Sequence, residues 1–367
     1  MFSRSLWSLP IAGAAIFFCL ATPATATTIV HGTAGVDLGY LENPLGLNDE
    51  PSSSLRVGRL DLTASTRTEQ TTWRWSYSGA LTLFDEDVPL DYMRHAVGLE
   101  WINSSGSGKK SSSAGLRWTV RDQIEQGSLY DHKEIDGYLV HKIYPASNLM
   151  IRGIAGGRVR SYSELPEESL LETYVLLEMK KFSENRTTIG TSVRLGGKQF
   201  YDPIAPRVWG TQDQPFASQL VLSLDAAKGV SDRVGLKASV GQRISLSDFP
   251  YWVQDDLFDN PLLDRYARSG WTANGSVKVL TPGLIWVETG VYASTDDYGA
   301  ILFDSGDGGA TRLDHVLEGY VSVERTITSG KNKTVLRLTG SWRDQSSDLE
   351  LYDWSGMSVV GGVSWKW

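Results

Sequence analysis

The sequence predicts an all-β protein: a transmembrane, antiparallel up-and-down β-barrel of about sixteen strands, in a range of roughly 14–18. Three observations carry that expectation. Alternation of apolar with polar or small residues recurs from one end of the chain to the other. The alternating segments run roughly 9–14 residues, beyond the ~5–6 usual in soluble sheets and matched to a tilted strand crossing a bilayer core. Short and long connections take turns, and the last segment, MSVVGGVSWKW, alternates to the final residue, Trp367.

The first element is a leader. Arg4 precedes the mostly apolar run LWSLPIAGAAIFFCLA, and Ala24-Thr25-Ala26 supplies a small-residue exit. This is the pattern of a secretory signal peptide, residues 1–26, leaving a barrel domain over 27–367. Cys19, the only cysteine, would leave with the signal, so the mature chain would hold no disulfide and no thiolate metal site. Phe17-Phe18 before it is too bulky for a lipoprotein box.

The strands follow near 29–41, 54–67, 71–84, 91–102, 111–122, 132–144, 148–161 and 170–182, then near 187–200, 216–228, 234–245, 267–280, 284–294, 313–327, 333–343 and 354–367. In 71–84, Trp73, Trp75, Tyr77, Gly79, Leu81 and Leu83 share one face, opposite Arg74, Ser76, Ser78, Ala80 and Thr82. SSAGLRWTVR sets Leu116, Trp118 and Val120 against Arg117, Thr119 and Arg121, and TVLRLTGSWR sets Leu336, Leu338 and Trp342 against Arg337, Thr339 and Arg343. LLETYVLLEMKKF is the one stretch with a helical alternative; as a strand it points Leu171, Thr173, Val175, Leu177 and Met179 outward. TEQ, PAS, SENR, VSDR, TPG and TSGKN form short turns at one end, and longer, Asp-, Glu- and Pro-rich loops lie at the other. An even strand count puts both termini at the short-turn, periplasmic end of an outer-membrane barrel.

Composition narrows the function. The net charge of −8 excludes nucleic acid as a partner. Mean hydropathy of −0.21 and the lack of any ~18-residue apolar run exclude a helical membrane protein. A soluble sandwich or propeller also alternates, but no repeat of fixed period occurs. Trp on the same face as Leu and Val, strand after strand, is wrong for a surface in water.

The polar faces carry the candidate site. They place Arg117, Arg121, Lys142, Arg152, Arg158, Arg160, Lys180, Arg194 and Lys198 inside the barrel as a block on five neighbouring strands. Arg59, Arg67, Arg74, Arg94, Lys237, Arg243, Lys278, Arg337 and Arg343 face inward elsewhere. The acids Asp61, Glu100, Asp136, Glu172, Glu178, Asp225, Glu288, Glu318 and Glu324 share the lumen, where cross-strand pairing can offset the cations. The chain's negative charge then belongs in the loops, at Asp85-Glu86-Asp87, Glu167-Glu168, Asp255-Asp256, Asp296-Asp297, Asp304 and Asp307. A basic lumen concentrates anions. Acidic loops would share divalent cations with lipopolysaccharide phosphates.

Other motifs carry less. SSGSGKKS has Asn103 where a phosphate loop needs glycine. His31, His95, His132, His141 and His315 lack ligand spacing, so neither metal nor cofactor is expected. No GxSxG occurs, so no enzyme is expected; His141, on the outward set, reads as a rim residue near the periplasm. DSGDGG from Asp304 to Gly309 reads as a loop tip before a calcium site.

The last strand puts Met357, Val359, Gly361, Val363, Trp365 and Trp367 on one face. It resembles the C-terminal recognition signal of bacterial outer-membrane proteins, which implies the barrel-assembly machinery as a partner. The final hairpin, with Trp342, Asp344, Ser346, Asp348, Tyr352, Asp353 and the aromatic end, resembles barrels of exopolysaccharide exporters and surface-lipoprotein assembly modifiers. Three functions stay open. The first is a passive outer-membrane channel for small hydrophilic, anion-leaning solutes. The second is an export barrel for an anionic polysaccharide with a separate periplasmic partner. The third is a structural or adhesive barrel acting through Phe249, Tyr251, Trp252 and Phe258. Each would sit in outer-membrane lipid, and a homo-oligomer is compatible with all three.

Overall fold

The computed structural model describes residues 27–44, 52–85, 91–104, 108–124, 131–164, 166, 169–200, 216–246, 268–300 and 311–367. The expected leader, the DSGDGG loop tip, the aromatic residues Phe249, Tyr251, Trp252 and Phe258, and the acidic pairs at 86–87, 167–168 and 255–256 lie outside those residues.

Sixteen strands form the fold: β1 (Thr27–Leu41), β2 (Ser53–Arg67), β3 (Thr71–Leu83), β4 (Tyr92–Ser104), β5 (Lys110–Gln123), β6 (His132–Ala146), β7 (Leu149–Tyr162) and β8 (Leu170–Phe182). They continue as β9 (Thr187–Phe200), β10 (Phe216–Gly229), β11 (Val234–Ser245), β12 (Ser269–Leu280), β13 (Ile285–Ala300), β14 (Thr311–Ser329), β15 (Asn332–Ser347) and β16 (Trp354–Lys366). Each pairs antiparallel with its sequence neighbours, and β1 pairs with β16, so the sheet is closed and has no open edge. No described helix is long and apolar enough to cross a membrane, which says nothing of the strands of a barrel.

Closure reaches the end of the chain. Strand β16 pairs with β1 from Ser358↔Leu41 to Lys366↔Thr33. The Trp367 N–H donates to the Gly32 carbonyl at 3.1 Å, and the Gly32 N–H donates back at 3.2 Å. The Trp367 indole lies where a Cβ on Gly32 would be, and packs 4.8 Å from the Trp365 ring. The alternating tail is thus the second half of the closing seam.

Period two sorts the side chains into two surfaces. Val36, Leu38, Leu116, Leu139, Val175, Leu177, Val240, Leu338 and Val363 point outward and are exposed, whereas Asp37, Arg121, Glu172 and Lys198 on the inner face are buried. A water-soluble protein inverts that order. A continuous exposed apolar wall around a charged interior needs lipid outside. Val175, near the middle of β8 and 58% exposed, tests this. In water Val175→Arg would change stability by under about 0.5 kcal/mol. In a bilayer it is expected to cost about 2–4 kcal/mol, read as a lower urea midpoint of the barrel refolded in vesicles.

The two rims differ in charge. Outward positions at the long-loop end hold Arg56 and Lys133 against Asp122, Asp297 and Asp344, all exposed. At the short-turn end the turns carry Lys109, Arg186, Arg233 and Lys331 against Glu69, Glu184 and Asp232. Trp73, paired with Trp101, and the Trp365–Trp367 pair lie on the outside at that end, in the sector around the closing seam. One loop is pinned beside the wall: the Ser54 N–H donates to Asp85 at 2.7 Å and holds that carboxyl below its usual range.

Strands β13 to β15 are longer than their sequence pattern. The expectation that Asp296-Asp297 lies in a loop is corrected: both sit in β13, paired with Gly270 and Ser269 of β12. An inward aspartate can continue a strand when cations wait inside, and Asp296 has two.

Candidate lumen wall

Register builds the site. Arg117 faces Asp136 across β5 and β6, Asp136 faces Arg158 across β6 and β7, Arg158 faces Glu172 across β7 and β8, and Glu172 faces Lys198 across β8 and β9. Because side chains alternate, every second residue along these rows joins the same inner surface. The nine cations Arg117, Arg121, Lys142, Arg152, Arg158, Arg160, Lys180, Arg194 and Lys198 all fall on it. Glu134, Asp136, Glu172 and Glu178 are the acids among them, leaving a surplus of positive charge on this sector.

The acids are held tightly. Glu172 is fully buried and takes hydrogen bonds from Arg158 Nε at 2.5 Å and Arg194 Nη2 at 3.1 Å. Glu134 accepts from Arg160 Nε at 2.8 Å and pairs with Arg158 at 3.6 Å. Glu178 pairs with Arg152 at 2.7 Å and Lys180 at 2.6 Å. Arg117 is exposed and forms no ion pair among the described residues. Arg121 lies over the Tyr92 ring at 4.1 Å, Arg194 over Tyr174 at 4.6 Å, Lys142 over Tyr144 at 5.4 Å and Lys198 over Phe200 at 5.9 Å.

Three lumen tyrosines lie flat across the sheet. Tyr138 covers Gly115, Tyr174 covers Gly156 and Tyr320 covers Gly290, each on its cross-strand partner. A Cβ at any of these glycines would collide with the ring. The tyrosine therefore packs on backbone and does not project into the passage.

The opposite sector carries a second charged network near the long loops. Asp296 accepts from Arg243 at 2.8 Å and from Arg268 at 3.2 Å, and Arg268 also donates to the Tyr298 hydroxyl at 3.2 Å. Arg312 forks onto Asp314 and is stacked between Tyr298 at 4.3 Å and Tyr352 at 3.4 Å. Burial raises the Tyr352 phenol above its usual range, so it stays a neutral ring beneath the guanidinium. Gln345 bridges Asp314 and Arg343, and Arg343 covers the Trp354 indole at 5.3 Å. Most inward side chains are buried toward the long loops, as Arg121 and Arg312 show, and exposed toward the short turns, as Arg67, Arg74 and Lys237 show; Arg94 is an exposed exception at the loop end. Arginine and aromatic groups thus pack against one another at the loop end.

Four inward acids escaped the sequence reading: Asp37, Glu134, Asp296 and Asp314. Glu134 shares parity with Asp136 and could have been found that way; Asp37 alternates with Val36 and Leu38 and carried the same signal. Asp37 pairs with Arg59 at 2.9 Å and Arg337 at 3.4 Å across the closing seam. Val359, Gly361, Val363, Trp365 and Trp367 all face outward, in register with Tyr40, Leu38, Val36 and Ala34 for the first four. Ser112 Oγ lies 2.9 Å from His141 Nδ1 on the lipid side, and Tyr77 pairs with His95 there at 2.9 Å; no carboxylate completes either pair among the described residues. No described group of three His, Cys, Asp or Glu side chains could hold a metal ion.

No family model matches the sequence, and no curated protein matches it. Solved structures do. OpdL of Pseudomonas aeruginosa is 13% identical with a TM-score of 0.51, covering 94% of this chain and 99% of its own. OccAB1 of Acinetobacter baumannii is 9% identical with a TM-score of 0.52, covering 94% and 97%. OccD3 (OpdP) of Pseudomonas aeruginosa is 10% identical with a TM-score of 0.51, covering 93% and 91%. The chain shares the closed-barrel fold of these structures, built here from sixteen antiparallel strands.

Proposed function

We propose that this protein is a channel of a Gram-negative outer membrane, with both termini periplasmic, that passes small hydrophilic solutes passively and favours anions. The observation that carries the reading is the excess of inward cations over Glu134, Asp136, Glu172 and Glu178 on β5 to β9. A barrel of sixteen strands is wide enough to hold water along its axis. The porin fold of the neighbours supports the channel reading. The sign of the preference rests on the lumen charge alone.

Single-channel recording in planar bilayers tests both parts. Under a potassium chloride gradient the reversal potential is expected on the chloride side. Replacing Arg117 and Arg194 together by glutamine should lower the anion-to-cation permeability ratio roughly two- to five-fold. A barrel that seals the bilayer at every voltage overturns the channel, and a reversal potential on the potassium side overturns the anion preference. Block by an acidic polysaccharide would move the reading to export of an anionic polymer, which the same basic wall suits.

A further inference from the structure

We infer that the short-turn rim is a collar that binds the anionic phosphodiester headgroups of membrane lipid, drawn from the leaflet on that side. Lys110 on β5, Lys181 on β8, Lys228 on β10 and Arg325 on β14 carry the inference. All four point outward, are exposed, and lie near the short-turn ends of their strands. Their cross-strand partners on the lipid face hold no charge. Lys110 faces Ile143, Lys181 faces Leu149 and Ile189, Lys228 faces Thr187 and Leu236, and Arg325 faces Ile285 and Leu336. Lys181, Lys228 and Arg325 form no ion pair among the described residues.

A long cation beside apolar neighbours lays its stem on them and lifts its charge to headgroup depth. The outer tryptophans of the same end mark that depth. Spacing decides between lipid and a protein partner. The four cations lie on β5, β8, β10 and β14, an arc of ten of the sixteen strands, wider than the single sector a docked protein would contact. Among the described residues the other rim lacks the feature, since its outward cations Arg56 and Lys133 are outnumbered by acids and Arg56 already faces Asp85 at 3.8 Å. The chain as a whole is acidic, so a basic arc at one end is not a by-product of composition.

The inference rests on the bilayer-spanning reading but not on transport, and the test keeps them apart. The full barrel is refolded into vesicles of phosphatidylcholine alone, or of equal parts phosphatidylcholine and phosphatidylglycerol. Flotation with either vesicle that survives an alkaline wash checks insertion. Lipid retained through detergent extraction is then counted by native mass spectrometry. Phosphatidylglycerol is expected to be enriched over phosphatidylcholine. The triple variant Lys181→Gln, Lys228→Gln, Arg325→Gln should lose roughly five-fold in retention per cation removed, and rising salt should weaken retention by the wild type. The double variant Arg56→Gln, Lys133→Gln should keep the enrichment. Floating protein without enrichment, a triple variant that retains it, or a double variant that loses it as fully would overturn the collar. So would displacement of the lipid by inorganic phosphate, which would make the rim a general anion site. A heat-modifiable gel shift confirms that each variant is a folded barrel.

Discussion

Replacing Glu172 by alanine is expected to destabilise the barrel by about 3–5 kcal/mol, because it strands buried guanidinium charge without a counter-ion. Glu172 is fully buried, accepts from Arg158 and Arg194, and sits opposite Lys198 in the ladder. Loss of its carboxylate leaves the β7–β9 wall to repel itself in a medium of low dielectric. The urea midpoint in vesicles should fall accordingly. Glu172→Gln, which keeps an acceptor and the shape, should lose less. In whatever fraction inserts, the anion preference should rise, since the lumen loses a negative charge. An unchanged midpoint for the alanine variant would mean that water reaches the site and screens the cluster.

Removing Trp367 is expected to cost about 3–5 kcal/mol, from the buried part of one indole and two backbone hydrogen bonds. The larger effect should fall on assembly. Those two bonds, to Gly32, extend a seam that pairs β1 only from Thr33 to Leu41, whereas β1 pairs with β2 along all of Thr27–Leu41. Without Trp367 the seam ends one residue earlier, at a level where the backbone meets the membrane interface and unpaired groups are costly. The yield of heat-modifiable barrel should drop several-fold. Gly32→Val tests the same seat from the other side, because its side chain would occupy the place of the indole. Normal yield from both variants would show that the terminal tryptophan is dispensable for closure.

Much of this architecture was legible because period two has only two outcomes. Once Leu171, Val175 and Leu177 are assigned to lipid, Glu172, Glu178 and Lys180 must face the lumen, and a helical alternative for that stretch disappears. The turn lengths gave strand direction for the same reason. Register was not legible: nothing local says that Glu172 meets Arg194 diagonally, or that Asp37 closes against Arg337, 300 residues away. Strand ends failed where charge misled. Asp296 and Asp297 look like loop residues until Arg243 and Arg268, on other elements, are seen to neutralise the inward one. Arg312 between Tyr298 and Tyr352 depends on three elements meeting, which alternation cannot report.

The tyrosines that lie on Gly115, Gly156 and Gly290 bear on how fast a solute could travel. A ring standing upright would be a baffle, and each passing ion would have to shed water to get around it. Folded down, the rings give a low-relief floor, with Arg194 over Tyr174 and Glu288 beside Tyr320. A hydrated anion could hand itself from one charge to the next while keeping most of its shell. The glycines thereby separate two properties usually in conflict: the wall can attract strongly without the bore becoming rough.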